Sequence, residues 1–170
     1  LIKQNLPITW QLPSGTRSEA IDDEVAYLLY ASGCRNLSYA PESGSLKILR
    51  QIKKKIDIEK MISSMKSCVD KGISVKANIM CGFPDERKVN LLETYRFIVR
   101  TARIGIDDIS INQFSPYPGS ELFTQLVNDR KIQLDEEYFE ALTFYSSMTN
   151  AMSYSRHFGA TTILFYKIIA

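Results

Sequence analysis

A glutamate follows a short stretch whose side chains alternate in polarity. The stretch Arg35–Ala40 reads RNLSYA, and a period of two is typical of a strand, with Ser38 on its polar face. The sequence Pro-Glu-Ser-Gly at 41–44 predicts a sharp turn into a helix, with a serine able to cap it. The carboxylate of Glu42 could accept hydrogen bonds from hydroxyl or ammonium groups of a ligand. An acidic residue at a helix N-terminus is also favourable on its own, so both interpretations stay open.

Two later segments also carry residues suited to ligand contact at predicted strand ends. In Gly82–Pro84 the glycine would allow close approach to the backbone, and the phenylalanine could pack on an aromatic ring. The segment 114–121, FSPYPGSE, is stiff and could present main-chain groups to a flat base. Each has a plainer alternative. The first would be a turn whose acidic residues, Asp85 and Glu86, favour the next helix, and the second would be a rigid loop.

Other familiar chemical arrangements are missing from the sequence. His157 is the only histidine, and no acid or thiol stands at a telling interval, so a nucleophile–base pair is not supported. Three cysteines, Cys34, Cys68 and Cys81, lack metal-ligand spacing, which predicts no metal site and fits a reducing cytoplasm. The Lys53–Lys55 run is typical of a solvated helix end, and a net charge of +2 gives no reason to expect nucleic acid. No signal peptide or bilayer-spanning apolar run is visible.

The elements that must position these residues follow a repeating order. Alternation predicts strands at 8–12, 35–40, 73–81 and 108–114, and helical periodicity predicts helices at about 46–52, 58–71, 89–104, 121–127 and 135–148. An earlier helix, capped by Ser18, should bury Ile21, Val25, Leu28 and Leu29. Four βα units predict an α/β fold, a partial parallel (β/α) barrel like half of a TIM barrel, with C-terminal helices. Right-handed crossovers would place all four strand ends on one rim.

Each predicted strand keeps one polar face, which is unusual for parallel strands covered on both sides. The polar pairs are Thr9 and Gln11, Asn36 and Ser38, Lys76 and Asn78, and Ser110 and Asn112. Because the apolar faces need the helices, the polar faces should line an interior that holds a polar ligand. The alternative is an open sheet whose polar faces meet solvent.

Three motifs, in order, resemble those of a known enzyme family. They are YAPESGS at 39–45, NIMCGFPDE at 78–86 and QFSPYPGSELF at 113–123, and they resemble the second half of a radical S-adenosylmethionine (SAM) enzyme. Their order and separations are similar to those of the cobalamin-binding branch, in particular the anaerobic magnesium-protoporphyrin monomethyl ester cyclase-like Fe–S oxidoreductases. The likeness runs from about Leu6 to the end of the chain and includes SYSRH at 153–157.

The resemblance implies a SAM site on the third to sixth strands of a (β/α)6 barrel. Carried over by position, Ser38 and Glu42 would lie near the ribose or the amino acid moiety of SAM. The Gly82–Pro84 turn would flank the adenine, and Phe114–Pro116 would close over it. The full set of residues expected to bind the cofactor is Ser38, Glu42, Ser43, Asn78, Gly82, Phe83, Pro84, Asn112, Phe114, Ser115 and Pro116.

The resemblance also implies parts that the sequence does not contain. The family binds a [4Fe–4S] cluster through a CxxxCxxC loop, and neither that loop nor a cobalamin domain occurs here. The chain opens with Leu1 and stops inside an apolar stretch. We therefore expect the C-terminal half of the barrel at 1–130 and a helical extension at 131–170, both cut from a longer cytoplasmic protein. Missing N-terminal regions or a second copy could cover exposed sheet edges, so an oligomer is possible.

The expected parent is a radical SAM oxidoreductase or methyltransferase that forms a 5′-deoxyadenosyl radical and acts on a small-molecule substrate, while the chain alone should be inactive. A non-catalytic half-barrel that binds or scaffolds would explain the missing cysteine loop without truncation. An ordinary (β/α)8 hydrolase or aldolase is a third possibility, for which Lys76 is the only candidate Schiff-base lysine.

Overall fold

Strands and helices alternate along the chain in the computed structural model, which describes residues 1–4, 6–14 and 20–170. Four strands form one sheet in the order β1-β2-β3-β4. They are β1 (Trp10–Leu12), β2 (Cys34–Glu42), β3 (Ser74–Cys81) and β4 (Asp108–Gln113). The first three pair in parallel, β1 with β2 and β2 with β3. The predicted α/β class, with parallel strands separated by helices, is confirmed.

The helices alternate with the strands, and their bounds lie close to those that the sequence predicts. They are α1 (Asp23–Ala31), α2 (Leu46–Gln51), α3 (Ile58–Asp70), α4 (Lys88–Arg103), α5 (Glu121–Asn128), α6 (Glu136–Leu142) and α7 (Ala160–Ile169). The helix predicted over 135–148 is shorter than expected, because α6 tightens into a 3₁₀ turn at Thr143–Ser146. No helix in the described ranges is long and apolar enough to cross a membrane.

The chain divides into two compact units, each with its own buried side chains. Unit 1 comprises Leu1–Ile79 and Thr94–Ser110, and unit 2 comprises Met80–Glu93 and Ile111–Ala170. The core of unit 1 includes Leu37, Tyr39, Ile48, Met61, Met65, Val75 and Phe97. The core of unit 2 includes Phe83, Phe114, Leu126, Ile132, Tyr138, Tyr154 and Ile163.

Strand β3 shows why the alternating pattern was a good guide. Val75, Ala77 and Ile79 are fully buried, whereas the intervening side chains of β3 are partly exposed. In unit 1 the register of the parallel pair β2–β3 places Ser38 opposite Lys76, so these polar residues share one face of the sheet. The period of two therefore separates an apolar face from a polar face, as the sequence predicts.

Strand β2 continues two residues beyond its predicted end at Ala40. Pro41 has no N–H to donate, and the register with β3 shifts between Tyr39 and Glu42, which accommodates the proline without a broken ladder. Glu42 then takes a φ of 64°, a left-handed conformation that few non-glycine residues adopt. The carboxylate still lies at the carboxyl end of the strand, as expected.

Helix α1 departs from its prediction. The expected cap, Ser18, lies outside the described residues, and the helix begins at Asp23 because the carboxylate of Asp22 accepts a hydrogen bond from the Val25 N–H at 2.9 Å. The expected burial of Val25 and Leu28 is wrong, since they are 38% and 46% exposed. Ala26 is the buried residue of this helix, because its small side chain permits close packing of the helix backbone.

Candidate functional site

Strand β3 ends in a turn that requires glycine. Gly82 has a φ of +93°, and a Cβ built there would lie 2.8 Å from Cδ1 of Ile163. Both the dihedral and the lack of space exclude a side chain. The space that the missing side chain frees is therefore taken by Ile163, within unit 2.

The buried carboxylate of Glu86 stabilises the same turn by accepting hydrogen bonds from its main chain. Oε2 of Glu86 accepts hydrogen bonds from the N–H of Gly82 at 2.5 Å and of Phe83 at 3.3 Å, and the Glu86 side chain is fully buried. Burial raises the pKa of Glu86 to about 7, although the two N–H donors act in the opposite direction. The sequence interpretation treated Glu86 as a helix-favouring acid, but its role in the structure is to organise the strand exit.

Three aromatic rings meet next to this turn. The ring of Phe83 lies 5.0 Å from that of Phe114, measured between centroids, and Phe114 meets Tyr154 edge-on at 6.2 Å. The N–H of Phe114 donates to the carbonyl of Cys81 at 2.7 Å, which ties the end of β4 to the end of β3. Phe83 does pack on an aromatic ring, as its type suggests, and that ring belongs to Phe114 of the same chain.

The segment 152–158 is bonded to the turn by main-chain and side-chain groups. The Ser155 hydroxyl donates to the Glu86 carbonyl at 2.9 Å, and the Arg156 N–H donates to the Pro84 carbonyl at 2.8 Å. The Arg156 guanidinium forms ion pairs with Asp85 and with Asp129. Together these contacts hold the turn after β3 in one conformation.

Buried polar atoms without a hydrogen-bond partner flank Phe114 in the chain. Among the described residues these include Nε2 of Gln113 and Oγ of Ser115, and also Oε1 of Glu86. Oε1 of Gln113 is engaged, since it accepts from the Met152 N–H at 3.0 Å. Buried polar groups are normally bonded, so each of these atoms has room for a bond to water or to a ligand.

In unit 1 the carboxylate of Glu42 is bound by a lysine. Nζ of Lys54 lies 2.8 Å from Oε1 of Glu42 and also donates to the carbonyl of Ala40. The Lys53–Lys55 run follows the end of α2, as the sequence predicts, and within it Lys54 is only partly exposed because it pairs with Glu42. Glu42 has a left-handed φ of 64°, and Lys54 follows the end of α2.

The residues after Glu42 are fixed by hydrogen bonds to helix α4. Oγ of Ser43 lies 2.9 Å from Oγ1 of Thr94, and the Gly44 N–H donates to the same Thr94 oxygen at 3.1 Å. Ser43 also accepts from the Ser45 N–H at 3.1 Å, so it stabilises the start of α2. Ser38 is buried at 3% exposure, and Asn78 is partly exposed on the polar side of β3.

The predicted cofactor residues thus fall into two sets, one in each unit. Unit 1 holds Ser38, Glu42, Ser43 and Asn78, and unit 2 holds Gly82, Phe83, Pro84, Asn112, Phe114, Ser115 and Pro116. In unit 2, Pro84, Phe114 and Pro116 are buried, and Pro116 accepts a hydrogen bond from the Tyr138 hydroxyl at 2.6 Å. The sequence analysis gives Glu86 and Lys54 other roles and does not single out Thr94, which lies 50 residues from Gly44 in the chain.

The cysteines do not fit an iron–sulfur cluster. Cys34, Cys68 and Cys81 are free and fully buried, and burial raises the pKa of each thiol. A cluster needs several thiolates that converge on one point. No group of three or more metal-binding side chains converges anywhere in the part of the chain that the structure describes.

Lys76 also has a partner. Its Nζ lies 2.8 Å from Oδ2 of Asp108, so the polar face of β3 carries an ion pair in unit 1. A Schiff-base lysine is activated by desolvation or by a neighbouring cation. Lys76 is partly exposed and faces an anion, so the structure gives the aldolase interpretation no support.

The chain is similar to proteins that are named methyltransferases and to one named as a methylthiotransferase. No protein-family model matches the chain. It is 28% identical over 121 residues to an uncharacterized methyltransferase of Pyrococcus horikoshii, covering 71% of this chain and 25% of that protein. It is 30% identical over 106 residues to a methylthiotransferase-like protein of Methanocaldococcus jannaschii, covering 62% and 23%. It is 25% identical over 150 residues to cytidylyl-2-hydroxyethylphosphonate methyltransferase of Streptomyces wedmorensis, covering 84% and 27%.

The fold matches that of a solved enzyme. Coproporphyrinogen III oxidase from Escherichia coli, described as a radical SAM enzyme, aligns with a TM-score of 0.51 and 19% identity. The alignment covers 73% of this chain and 28% of that enzyme, and it confirms the predicted fold class. The chain also spans about a quarter of the length of the curated relatives that it matches.

Proposed function

We propose that this chain is the C-terminal half of a radical SAM catalytic domain, and that its parent protein transfers a methyl or methylthio group. The fold match to a radical SAM enzyme supports the first part of this proposal. The names of three relatives, two methyltransferases and one methylthiotransferase-like protein, support the second part.

The observation that carries the proposal is the pair of unpaired polar atoms on either side of Phe114. Oγ of Ser115 and Nε2 of Gln113 are buried without a partner in unit 2, where the strand ends carry the apolar surface of Phe83 and Phe114. The adenine of SAM has both ring nitrogens and an amino group that would satisfy such atoms. In this proposal Ser115 bonds the base, the rings exclude water, and Glu86 keeps the turn rigid.

Unit 1, taken by itself, offers a second set of polar groups for a ligand that carries hydroxyl or ammonium groups. Oε1 of Glu42 is engaged by Lys54, which leaves the second carboxylate oxygen to accept a hydrogen bond from such a group. Ser38 and Asn78 would add neutral donors and acceptors from the polar sides of β2 and β3. Ser43 would support these residues without contacting the ligand, because its hydroxyl is hydrogen-bonded to the Ser45 N–H and to Thr94.

Bound SAM would supply a methyl group or, after reductive cleavage by a [4Fe–4S] cluster, a 5′-deoxyadenosyl radical. The cluster residues would lie outside this chain, so we expect the chain alone to be inactive. Assignment to the cobalamin-binding, cyclase-like branch, division at residue 130, oligomerisation through sheet edges and a cytoplasmic location remain proposals. Cobalamin retained by the purified full-length protein, seen in its visible absorption spectrum, would support the first of these.

The test is calorimetric titration of the full-length protein with SAM, comparing Ser115→Ala with the wild type. Removing a buried hydroxyl that has no partner should leave the melting temperature unchanged or raise it. The same change should weaken SAM binding by about tenfold, which corresponds to about 1.4 kcal/mol. Ser146→Ala, at an exposed serine of the same unit, is the matched control and should change neither quantity.

Unchanged SAM affinity in Ser115→Ala would remove this residue from the site. If the wild type bound no SAM, and released no 5′-deoxyadenosine when reduced anaerobically, the radical SAM assignment would fail. The non-catalytic binding or scaffold domain would then be the better description.

A further inference from the structure

A cavity of about 230 Å³ lies in unit 2, beside the loop that joins α5 and α6. Its apolar lining comes from Ile132, Tyr138, Met152 and Tyr154, of which the two tyrosines and Ile132 are at most 5% exposed. Arg130 and Lys131 stand at its edge. Gln133 and the charged side chains make much of the lining polar, so the cavity offers both hydrogen-bonding groups and a smaller apolar surface to a small molecule.

The two cations of this cavity have no ion-pair partner in the described part of the chain. The lining also contains two acidic residues, Asp135 and Glu137, at the start of helix α6. The Asp135 carboxylate accepts from the Tyr138 N–H at 2.9 Å, and both acids keep their negative charge. Arg130 and Lys131 therefore offer an anion direct hydrogen bonds rather than a lining of net positive charge.

The backbone of Arg130 fixes the point from which its side chain leaves the end of α5. Its φ is 55°, and its N–H donates to the Val127 carbonyl at 3.0 Å, so it holds the left-handed position that ends α5. Glycine is the residue best suited to that position. The chain instead keeps an arginine there at a conformational cost, which places a guanidinium at the cavity edge.

We propose that this cavity binds a small anion with a flat apolar body, such as an aromatic carboxylate. The ring would lie on Tyr138, Tyr154 and Met152, and its anionic group would pair with Arg130 and Lys131. An arginine suits this role because its planar fork bonds both oxygens of a carboxylate. Nothing in this inference requires SAM, so it goes beyond the proposed function.

The geometry permits a clean test, since Arg130→Gly removes the cation and relaxes the backbone at once. Lys53 has the same left-handed conformation, with a φ of 56°, ends α2 in the same way, and is not part of the cavity lining. Lys53→Gly is therefore a control that matches the first variant in backbone change and in charge lost. Both variants should fold at least as stably as the wild type.

The full-length protein would be titrated with indole-3-propionate, with its neutral amide and with tryptamine, following the ring signals of Tyr138 and Tyr154 by NMR. We expect the acid to bind at least about fivefold more tightly than the amide, and tryptamine to bind more weakly than either. Arg130→Gly should weaken binding of the acid by about five- to tenfold and leave binding of the amide unchanged. Lys53→Gly should change the affinity for neither compound.

Four outcomes would overturn the proposal: no binding of the acid, equal binding of acid and amide, tighter binding of tryptamine, or unchanged affinity in Arg130→Gly. If Arg130→Gly did not fold, Lys131→Gln would replace it, with the same expected loss. The titration uses no SAM, so its failure would leave the Ser115 experiment untouched, and the failure of that experiment would leave this one untouched.

Discussion

Oε2 of Glu86 lies 2.5 Å from the main-chain N–H of Gly82, so a buried carboxylate holds the left-handed residue that ends β3. The glycine provides the conformation, and the glutamate provides the acceptor that this conformation requires. The residues after it then place Phe83 against Phe114. The strand exit in unit 2 is therefore built as one hydrogen-bonded structure.

The first prediction is that Glu86 makes stability depend on pH. Its pKa rises from 4.5 to about 7 on folding, so the folded state holds a proton that the unfolded state has released. The contribution of Glu86 to the free energy of unfolding is fully present below pH 4.5 and is lost as the pH rises through about 7. Glutamine does not ionise, so Glu86→Gln should not show this fall in the free energy of unfolding, which is on the order of 3 kcal/mol.

Urea unfolding at pH 5, 7 and 9 would measure this effect. Glu140→Gln, at an exposed acid of α6, is the control and should keep the slope of the wild type. A wild-type protein whose stability rises between pH 5 and 9, with the same rise in Glu86→Gln, would contradict the assignment.

The second prediction concerns Gly82. Gly82→Ala should destabilise by about 1–2 kcal/mol from backbone strain and by a further 1–3 kcal/mol from the contact with Ile163. Gly119→Ala isolates the first part, because Gly119 has a φ of +89° and no atom within 4 Å of its Cβ position. Thermal unfolding of both variants, and of Gly82→Ala with Ile163→Val, gives the comparison. Equal losses in the two alanine variants would mean that the contact with Ile163 costs nothing.

The third prediction is that Lys54 couples to Glu42. Lys54→Met should cost about 1–2 kcal/mol, because it removes one ion pair and one bond to a carbonyl around half-buried groups. Lys55→Met, at the exposed neighbour, should cost less than about 0.5 kcal/mol. A double-mutant cycle with Glu42→Gln would measure the coupling directly. A coupling energy near zero would show that the pair does not stabilise the strand end.

The fourth prediction separates two contacts of the segment 152–158. Arg156→Met should lower stability only slightly, because its ion pairs are 43% exposed, and the loss should shrink further in 1 M salt. Ser155→Ala should cost about 1 kcal/mol at either salt concentration, because it removes a neutral, partly buried hydrogen bond to Glu86. Denaturant titrations at low and high salt would distinguish the two. A salt-independent loss in Arg156→Met would be unexpected.

The sequence predicts the strands well wherever one face is buried and the other is not. Val75, Ala77 and Ile79 alternate with polar residues, so the bounds of β3 could be placed to within one residue. The buried side chains of helix α1 are harder to predict, because the periodicity shows that a stripe of apolar residues exists but not which face the sheet covers. Its covered residue proved to be Ala26.

The contacts that organise the site were largely beyond sequence reasoning. An acid four positions after a glycine looks the same whether it favours a helix or, like Glu86, turns inward to bond the backbone. Lys54 likewise stands in an ordinary basic run, and its ion pair with Glu42 appears only in the folded chain. Such roles depend on burial and on dihedral angles, neither of which is written in residue type or spacing.

The three free thiols allow the opening of each unit to be timed. Cys34 and Cys68 are sealed in unit 1 and Cys81 in unit 2, and burial raises the pKa of Cys81 to about 12. Because the thiolate is the reactive form, an alkylating reagent can modify these side chains only while the surrounding structure is open. The rate at which each cysteine is labelled thus reports local unfolding, at two positions in unit 1 and at one in unit 2.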